Sequence, residues 1–340
     1  MASSAIPVSL LTGFLGSGKT TVLNALLRHP DMVETAVIIN EFGDIGLDHL
    51  LVEATTEETI LLNSGCLCCM IREDLASALT TLHQRREAGT IPPFQRVVIE
   101  TTGLADPAPI LHTLMTNPAI GATFRLDGVI ATVDAVNGAE TLLRQDEAIK
   151  QIAVADRILL TKTDLAPTSD LLEILRRINP AAPRLMVTQG SVDPSQLFDA
   201  SLYDGKTGTF QVLRWLKAET YGSSDGDEHS HFHEPNRHGA DIHAYCCTLD
   251  TPVAAETWNV WLSMMLTFRG PDFLRVKGML NVAGQSGPMV VHGVQHIFHP
   301  PVLLADWPSE DQRSRVVFIT RNISQADLAE AWNILKESAT

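Results

Sequence analysis

Eight residues, GFLGSGKT from Gly13 to Thr20, restrict the folds open to this chain more than any other feature. They satisfy G-x-x-x-x-G-K-[ST] in full. The apolar run VSLLT precedes them and the helix-like TVLNALL follows, which is the context a phosphate loop requires. Glycines let the backbone curl around a phosphate with its N–H groups pointing inward, at the N-terminus of a helix. The nucleotide-binding set is Gly13, Gly16, Ser17, Gly18, Lys19, Thr20 and Thr21. Lys19 reaches the β- and γ-phosphates, and the Thr20 hydroxyl is a ligand for Mg²⁺.

The rest of the first ~200 residues agrees with such a unit. Short apolar runs (IPVSLLTG, TAVIIN, ETILLNSG, RVVIE, DGVIATVD, DRILLTKTD, RLMVTQG) alternate with amphipathic stretches such as REDLASALTTLHQRR and SDLLEILRRIN. Strand–helix alternation predicts an α/β fold: a doubly wound, mainly parallel sheet with helices on both faces. Near residue 220 the pattern breaks into YGSSDGDEHSHFHEPNRHGADIH, without apolar period. A smaller α+β unit follows, with strands at HAYCCTL, FLRVKGMLNV, PMVVHGVQHIF and SRVVFITR and helices at AAETWNVWLSMMLTF and SQADLAEAWNIL. The predicted division is 1–215, a linker at 216–241, and 242–340.

Charge limits the partners. With 25 Lys+Arg against 40 Asp+Glu the net charge is −15, which repels nucleic acid and anionic membrane but not cations. No basic n-region precedes the first apolar run, and no apolar stretch approaches the ~18 residues of a membrane span. The sequence predicts a soluble, cytoplasmic protein.

Two further segments extend the nucleotide site. In RVVIETTG, Glu100 ends an apolar run, where a carboxylate can hold Mg²⁺ through water, and Gly103 can offer its N–H to a γ-phosphate. Lys19 and Glu100 are the candidate catalytic residues. In DRILLTKTD, the Asp164 carboxylate can accept two N–H bonds from the guanine edge, and Lys162 can lay its stem along the base. Many guanine-binding proteins carry Asn where this chain has Thr161.

The cysteines raise a separate question. Cys66, Cys68 and Cys69, three of the chain's five, fall within four positions of LLNSGCLCCMIRED. Three thiolates from one loop before a helix can face one tetrahedral cation but leave its fourth position open. No second Cys pair has zinc-site spacing, since Cys246 and Cys247 are adjacent in a predicted strand. The cluster therefore reads as an exchangeable metal site. A Cys66/Cys69 dithiol switch and a buried structural cluster remain as alternatives. Glu41 and Asp44 lie in NEFGDIGLD, after TAVIIN, where Glu41 could add an oxygen to the metal or the segment could be a polar turn.

Taken in order, GFLGSGKT, NEFGDIG, GCLCC, ETTGLADP and TKTD resemble the CobW-like family of GTPases, and the segments around RVKGMLNVAGQSGPMVVHGVQHIFHPP resemble that family's C-terminal domain. The resemblance spans most of the chain. It implies a GTP-dependent metallochaperone: GTP and Mg²⁺ at the phosphate loop, metal at Cys66, Cys68, Cys69 and Glu41, and delivery to a client enzyme. Thiolate-rich ligation favours Zn²⁺, and Co²⁺ fits the same cage. The resemblance also admits a nucleotide-dependent dimer. With no evident water-positioning glutamine and no cis arginine finger, intrinsic turnover is expected well below one per second, measurable as phosphate release from GTP by the metal-free protein.

Twelve histidines complete the candidates. His229, His231, His233, His238 and His243, beside Asp225, Asp227 and Glu228, read as a weak cation reservoir or a solvated linker. His292, His296 and His299 fall in the second unit, where a structural or client-facing role is expected. His112 falls on a predicted helix, with no role assigned.

Overall fold

The protein was analysed as a computed structural model, which describes residues 5–40, 52–56, 59–62, 67–70, 75–198 and 242–338. The chain divides into two compact units.

The first unit is built on a nine-stranded sheet. In chain order its strands are β1 (Ile6–Gly13), β2 (Thr35–Asn40), β3 (Val52–Thr56), β4 (Thr59–Leu62), β5 (Leu67–Met70), β6 (Arg96–Thr101), β7 (Phe124–Asp134), β8 (Arg157–Thr161) and β9 (Arg184–Met186). Across the sheet they run β3-β4-β5-β2-β6-β1-β7-β8-β9. From β5 to β9 every pairing is parallel; β4 pairs antiparallel with β5, and β3 with β4. Along the same stretch of chain lie the helices α1 (Lys19–Leu27), α2 (Leu75–Glu87), α3 (Ala108–Thr116), α4 (Pro118–Gly121), α5 (Gly138–Arg144), α6 (Asp146–Ala153) and α7 (Ser169–Ile178), the last of which from residue 173 on groups with the second unit.

The apolar continuity of these strands follows from burial on both faces. One face, with Leu11, Val37, Ile39, Val98, Ile130 and Leu159, packs against Val22, Leu23, Leu26 and Leu27 of α1. The alternating set, Leu10, Ile38, Val97 and Ile99, is equally buried on the other. This two-sided core holds the carboxyl ends of β1, β6 and β8 level with one another, and ligands bind at such edges.

One expectation changes. The sequence predicts ETILLNSG as a strand with the cysteines in the loop after it. Its strand, β4, instead runs antiparallel to β5, and Cys68 and Cys69 lie within β5, which runs parallel to β2. An antiparallel neighbour needs only a short turn, so β4 and β5 fit close together in sequence. RLMVTQG also ends as a strand at Met186.

The second unit pairs β10 (Ile242–Leu249), β11 (Phe273–Leu280), β12 (Met289–Val294), β13 (Ile297–Phe298), β14 (Val302–Leu303) and β15 (Ser314–Arg321) in an antiparallel sheet of order β10-β15-β11-β12-β13, with β14 beside β12. Its helices are α8 (Ala255–Arg269) and α9 (Gln325–Ser338). Trp258, Trp261 and Trp332 from these helices pack against Phe318 and Phe273 of the sheet. Two of the indole tips bond to backbone carbonyls, as Trp332 Nε1 donates to Thr248 O at 2.9 Å and Trp261 Nε1 to Ala331 O at 2.7 Å.

Candidate functional site

The phosphate loop follows β1. Gly13 has φ of 144°, and a Cβ there would collide with Thr132 Oγ1 and stand 2.5 Å from Thr132 O, so only glycine fits. Gly16 and Gly18 also take positive φ, 72° and 92°. Hydroxyls brace the loop from beneath: Ser17 Oγ lies 2.6 Å from Thr132 Oγ1, and Thr101 Oγ1 donates to Thr12 Oγ1 at 3.0 Å. Lys19 is buried and its Nζ donates to Gly13 O at 3.0 Å and Phe14 O at 3.3 Å, which puts a positive charge over the curl of the loop. Thr21, in the first turn of α1, is exposed.

Thr20 Oγ1 donates to Glu100 Oε1 at 2.7 Å, and Glu100 is almost wholly buried at the end of β6. A hydroxyl and a carboxylate in contact at the mouth of a phosphate loop are hard oxygen donors, and this pair fits Mg²⁺. Gly103 closes the same side: a Cβ on it would meet Leu15 N at 2.7 Å, so its backbone lies directly against the loop.

On the opposite flank lies a cavity of about 210 Å³ lined by Gly18, Thr21, Val22, Thr161, Lys162, Asp164, Leu165, Gln189 and Gly190. Thr161 donates its hydroxyl to Ser17 O at 2.7 Å and so ties the turn after β8 to the phosphate loop. Lys162, at φ 54°, places Nζ 3.2 Å from the buried Asp134 carboxylate. Gln189 (φ 50°) and Gly190 (φ 79°) form the centre of a turn closed by Ser191 N to Thr188 O at 3.0 Å. A Cβ on Gly190 would stand 2.6 Å from Thr21 O, so this turn is pressed onto the start of α1. Neither Gln189, Gly190 nor Asp134 was singled out from the sequence; the available signals were the turn pair Gln-Gly and an aspartate ending a strand.

The structure thus brings Gly13, Gly16, Ser17, Gly18, Lys19, Thr20, Thr21, Glu100, Gly103, Lys162 and Asp164 to one edge of the sheet. Glu41, Asp44, Cys66, the linker at 216–241 and four of its clustered histidines lie outside the described residues. In β5, Cys68 is in register with Val37 and Cys69 with Ile38, and Ile38 is itself in register with Ile99, next to Glu100.

The remaining candidates do not gather into a site. Among the described residues, no group of three or more His, Cys, Asp or Glu is placed to hold a metal ion. His243 is exposed and stacks on Tyr245, with ring centroids 5.7 Å apart. His112 is exposed on α3, His296 is exposed and His292 is buried within β12. Burial lowers the His299 pKa, opposed by its bond to Pro300 O. Burial also raises the Cys246 thiol and pushes Cys247 up to about 12, which leaves both as inert thiols. No helix among the described residues is long and apolar enough to cross a membrane.

Residues 7–186 match the family described as "CobW/HypB/UreG, nucleotide-binding domain", and residues 242–335 match "Cobalamin synthesis protein cobW C-terminal domain". The chain is 35% identical over 337 residues to "Zinc chaperone YjiA" of Escherichia coli, covering 98% of this chain and 99% of that protein. It is 30% identical over 352 residues to "Zinc-regulated GTPase metalloprotein activator 1" of Schizosaccharomyces pombe, covering 94% of this chain and 83% of the relative. The crystal structure of Zn(II)-bound YjiA GTPase from E. coli superposes with a TM-score of 0.75 at 34% identity, over 98% of this chain and 99% of that one.

Proposed function

Because the chain belongs to the CobW/HypB/UreG family, we propose that it is a GTP-hydrolysing zinc chaperone that binds the metal at its Cys66-x-Cys68-Cys69 segment and hands it to a client protein. Two full-length relatives bear zinc-chaperone or zinc-regulated GTPase names, which supports zinc over cobalt. The observation that carries the coupling is the register of β5. Cys69 stands in the same row as Ile99, with only β2 between them, and Glu100 is the next residue. At strand spacing the two backbones are separated by roughly 10 Å.

In this reading Lys19 and the loop N–H groups bind the β- and γ-phosphates. Thr20 and Glu100 hold Mg²⁺, which offsets phosphate charge. Gly103 offers its N–H to the γ-phosphate, and Asp164 with Lys162 selects guanine in the cavity beside Gly18. The γ-phosphate acts through the Glu41 segment that follows β2, and zinc affinity changes as a result. By linkage, zinc changes GTP affinity by the same factor.

The test is a competition titration of Zn²⁺ against a chromophoric chelator, on reduced protein with Mg·GDP and with a non-hydrolysable GTP analogue. A shift of about tenfold or more between the two nucleotides is expected, equal to ~1.4 kcal/mol. Replacing Cys66, Cys68 and Cys69 together with Ser should abolish that zinc site. Equal affinities in both nucleotide states would refute the coupling and leave a structural zinc. A reversible disulfide without thiolate-bound metal would leave the Cys66/Cys69 switch.

A further inference from the structure

The buried face of α6 is apolar, with Ala148, Ile149, Ile152 and Ala153, and among them sits one amide, Gln151, with 0% exposure. Its Nε2 donates to Gly103 O at 3.2 Å and to Ala105 O at 3.0 Å. Its Oε1 is buried with no hydrogen-bond partner among the described residues. An unpaired buried carbonyl is unfavourable, because it loses its water and gains no bond in return. An apolar residue would fill this place without that oxygen, so the amide is explained by what its N–H groups hold.

Those N–H groups hold a turn in place. Ala105 N donates to Thr102 O at 3.2 Å, closing residues 102–105. Lys150, next to Gln151, pairs with Asp106 at 2.8 Å, and the other Asp106 oxygen accepts from Ala108 N at 2.9 Å. The carbonyls of Thr102, Gly103 and Ala105 and the Asp106 carboxylate are thus all engaged. A trans peptide points its N–H opposite its C=O. Fixing the Thr102 and Gly103 carbonyls therefore fixes the direction of the Gly103 and Leu104 N–H groups, beside Leu15 of the phosphate loop.

We infer that Gln151, assisted by Lys150, is a positioning residue for GTP hydrolysis, anchoring the 103–106 turn to α6 so that its N–H groups stay aimed at the γ-phosphate. This rests on the reading of Gly103 as a γ-phosphate ligand. GDP lacks that phosphate, so the effect must be selective for GTP.

The experiment compares Gln151→Leu, Lys150→Met and Gly103→Ala in the full chain. The readouts are kcat and KM for GTP, affinities for Mg·GDP and for a non-hydrolysable GTP analogue, and the melting midpoint. Gln151→Leu removes the unpaired Oε1 but takes a donor from the Gly103 and Ala105 carbonyls, so it is expected to melt at or slightly below the parent temperature, lose about ten- to a hundredfold in kcat, weaken the analogue about fivefold or more, and leave GDP affinity within about twofold. Lys150→Met should show a smaller loss with the same selectivity, and it carries the test if Gln151→Leu does not fold. Unchanged kcat and affinities, or analogue and GDP weakening together, would overturn the inference, since a merely structural residue gives one or the other. If Gly103→Ala keeps both kcat and analogue affinity, the reading of Gly103 fails. If Gly103→Ala loses them selectively while both α6 variants do not, the inference about α6 alone fails.

Discussion

Asp164→Asn should weaken GTP binding by about a thousandfold and create binding of xanthosine triphosphate where there was little. A carboxylate accepts both N–H bonds of the guanine edge, whereas the Asn amide offers one acceptor and turns a donor toward a donor. Sites built to hydrogen-bond a ligand reject a mismatched one by about 10⁴–10⁵ when fully buried. Asp164 lines an open cavity and is exposed, which lowers the figure to about 10³. Xanthine carries a carbonyl where guanine has its amino group, so the same substitution restores the pairing. Exposure also keeps the change in folding stability within about 0.5 kcal/mol. The measurement is competition of GTP, ATP and xanthosine triphosphate for a fluorescent nucleotide. An unchanged ranking would remove Asp164 from base recognition.

Gly13→Ala carries the largest expected stability effect. The left-handed φ of 144° strains any side chain, at about 1–3 kcal/mol. The methyl must also displace Thr132 O, a backbone atom in the centre of the sheet, at a similar cost. For a unit of this size the sum lowers the melting temperature by roughly 5–15 °C. Nucleotide affinity falls with it, because Gly13 O and Phe14 O are the acceptors that place Lys19. Gly16→Ala is the contrast. Its φ is 72°, but nothing lies within 4 Å of the added carbon, so the cost is about 1–2 kcal/mol of backbone strain alone. Thermal denaturation of both variants separates the terms. Equal losses would mean that crowding against Thr132 contributes nothing.

What could be read beforehand divides along physical lines. Strands β1, β2 and β6 were legible because burial on both faces leaves an unbroken apolar run, and the phosphate loop because its glycines serve backbone angles that no neighbour can supply. The turn at Gln189–Gly190 was not legible as part of the site, since its role comes from contact with Thr21, far away in sequence. Gln151 was not legible because nothing in the sequence separates a buried amide on a helix from a solvated one, and only its partners at Gly103 and Ala105 explain its burial. Thr161 looked like a departure from a guanine motif; its hydroxyl reaches Ser17 O instead, a long-range bond that a residue pattern does not encode. The β4–β5 reversal is not legible because an antiparallel edge pair and a strand followed by a loop share the same short apolar pattern.

The bond from Thr161 to Ser17 spans 144 residues, and Ser17 to Thr132 spans 115. Sequence-distant closures of this kind form late, since loop entropy must be met before they contribute. During synthesis the phosphate loop leaves the ribosome long before the strands that brace it. The nascent chain thus carries its most recognisable motif in a form unable to grip a nucleotide until β7 and β8 have been made and docked. Nucleotide binding is therefore a certificate of completed folding in this unit, and GTP stabilises only molecules in which these closures have already formed.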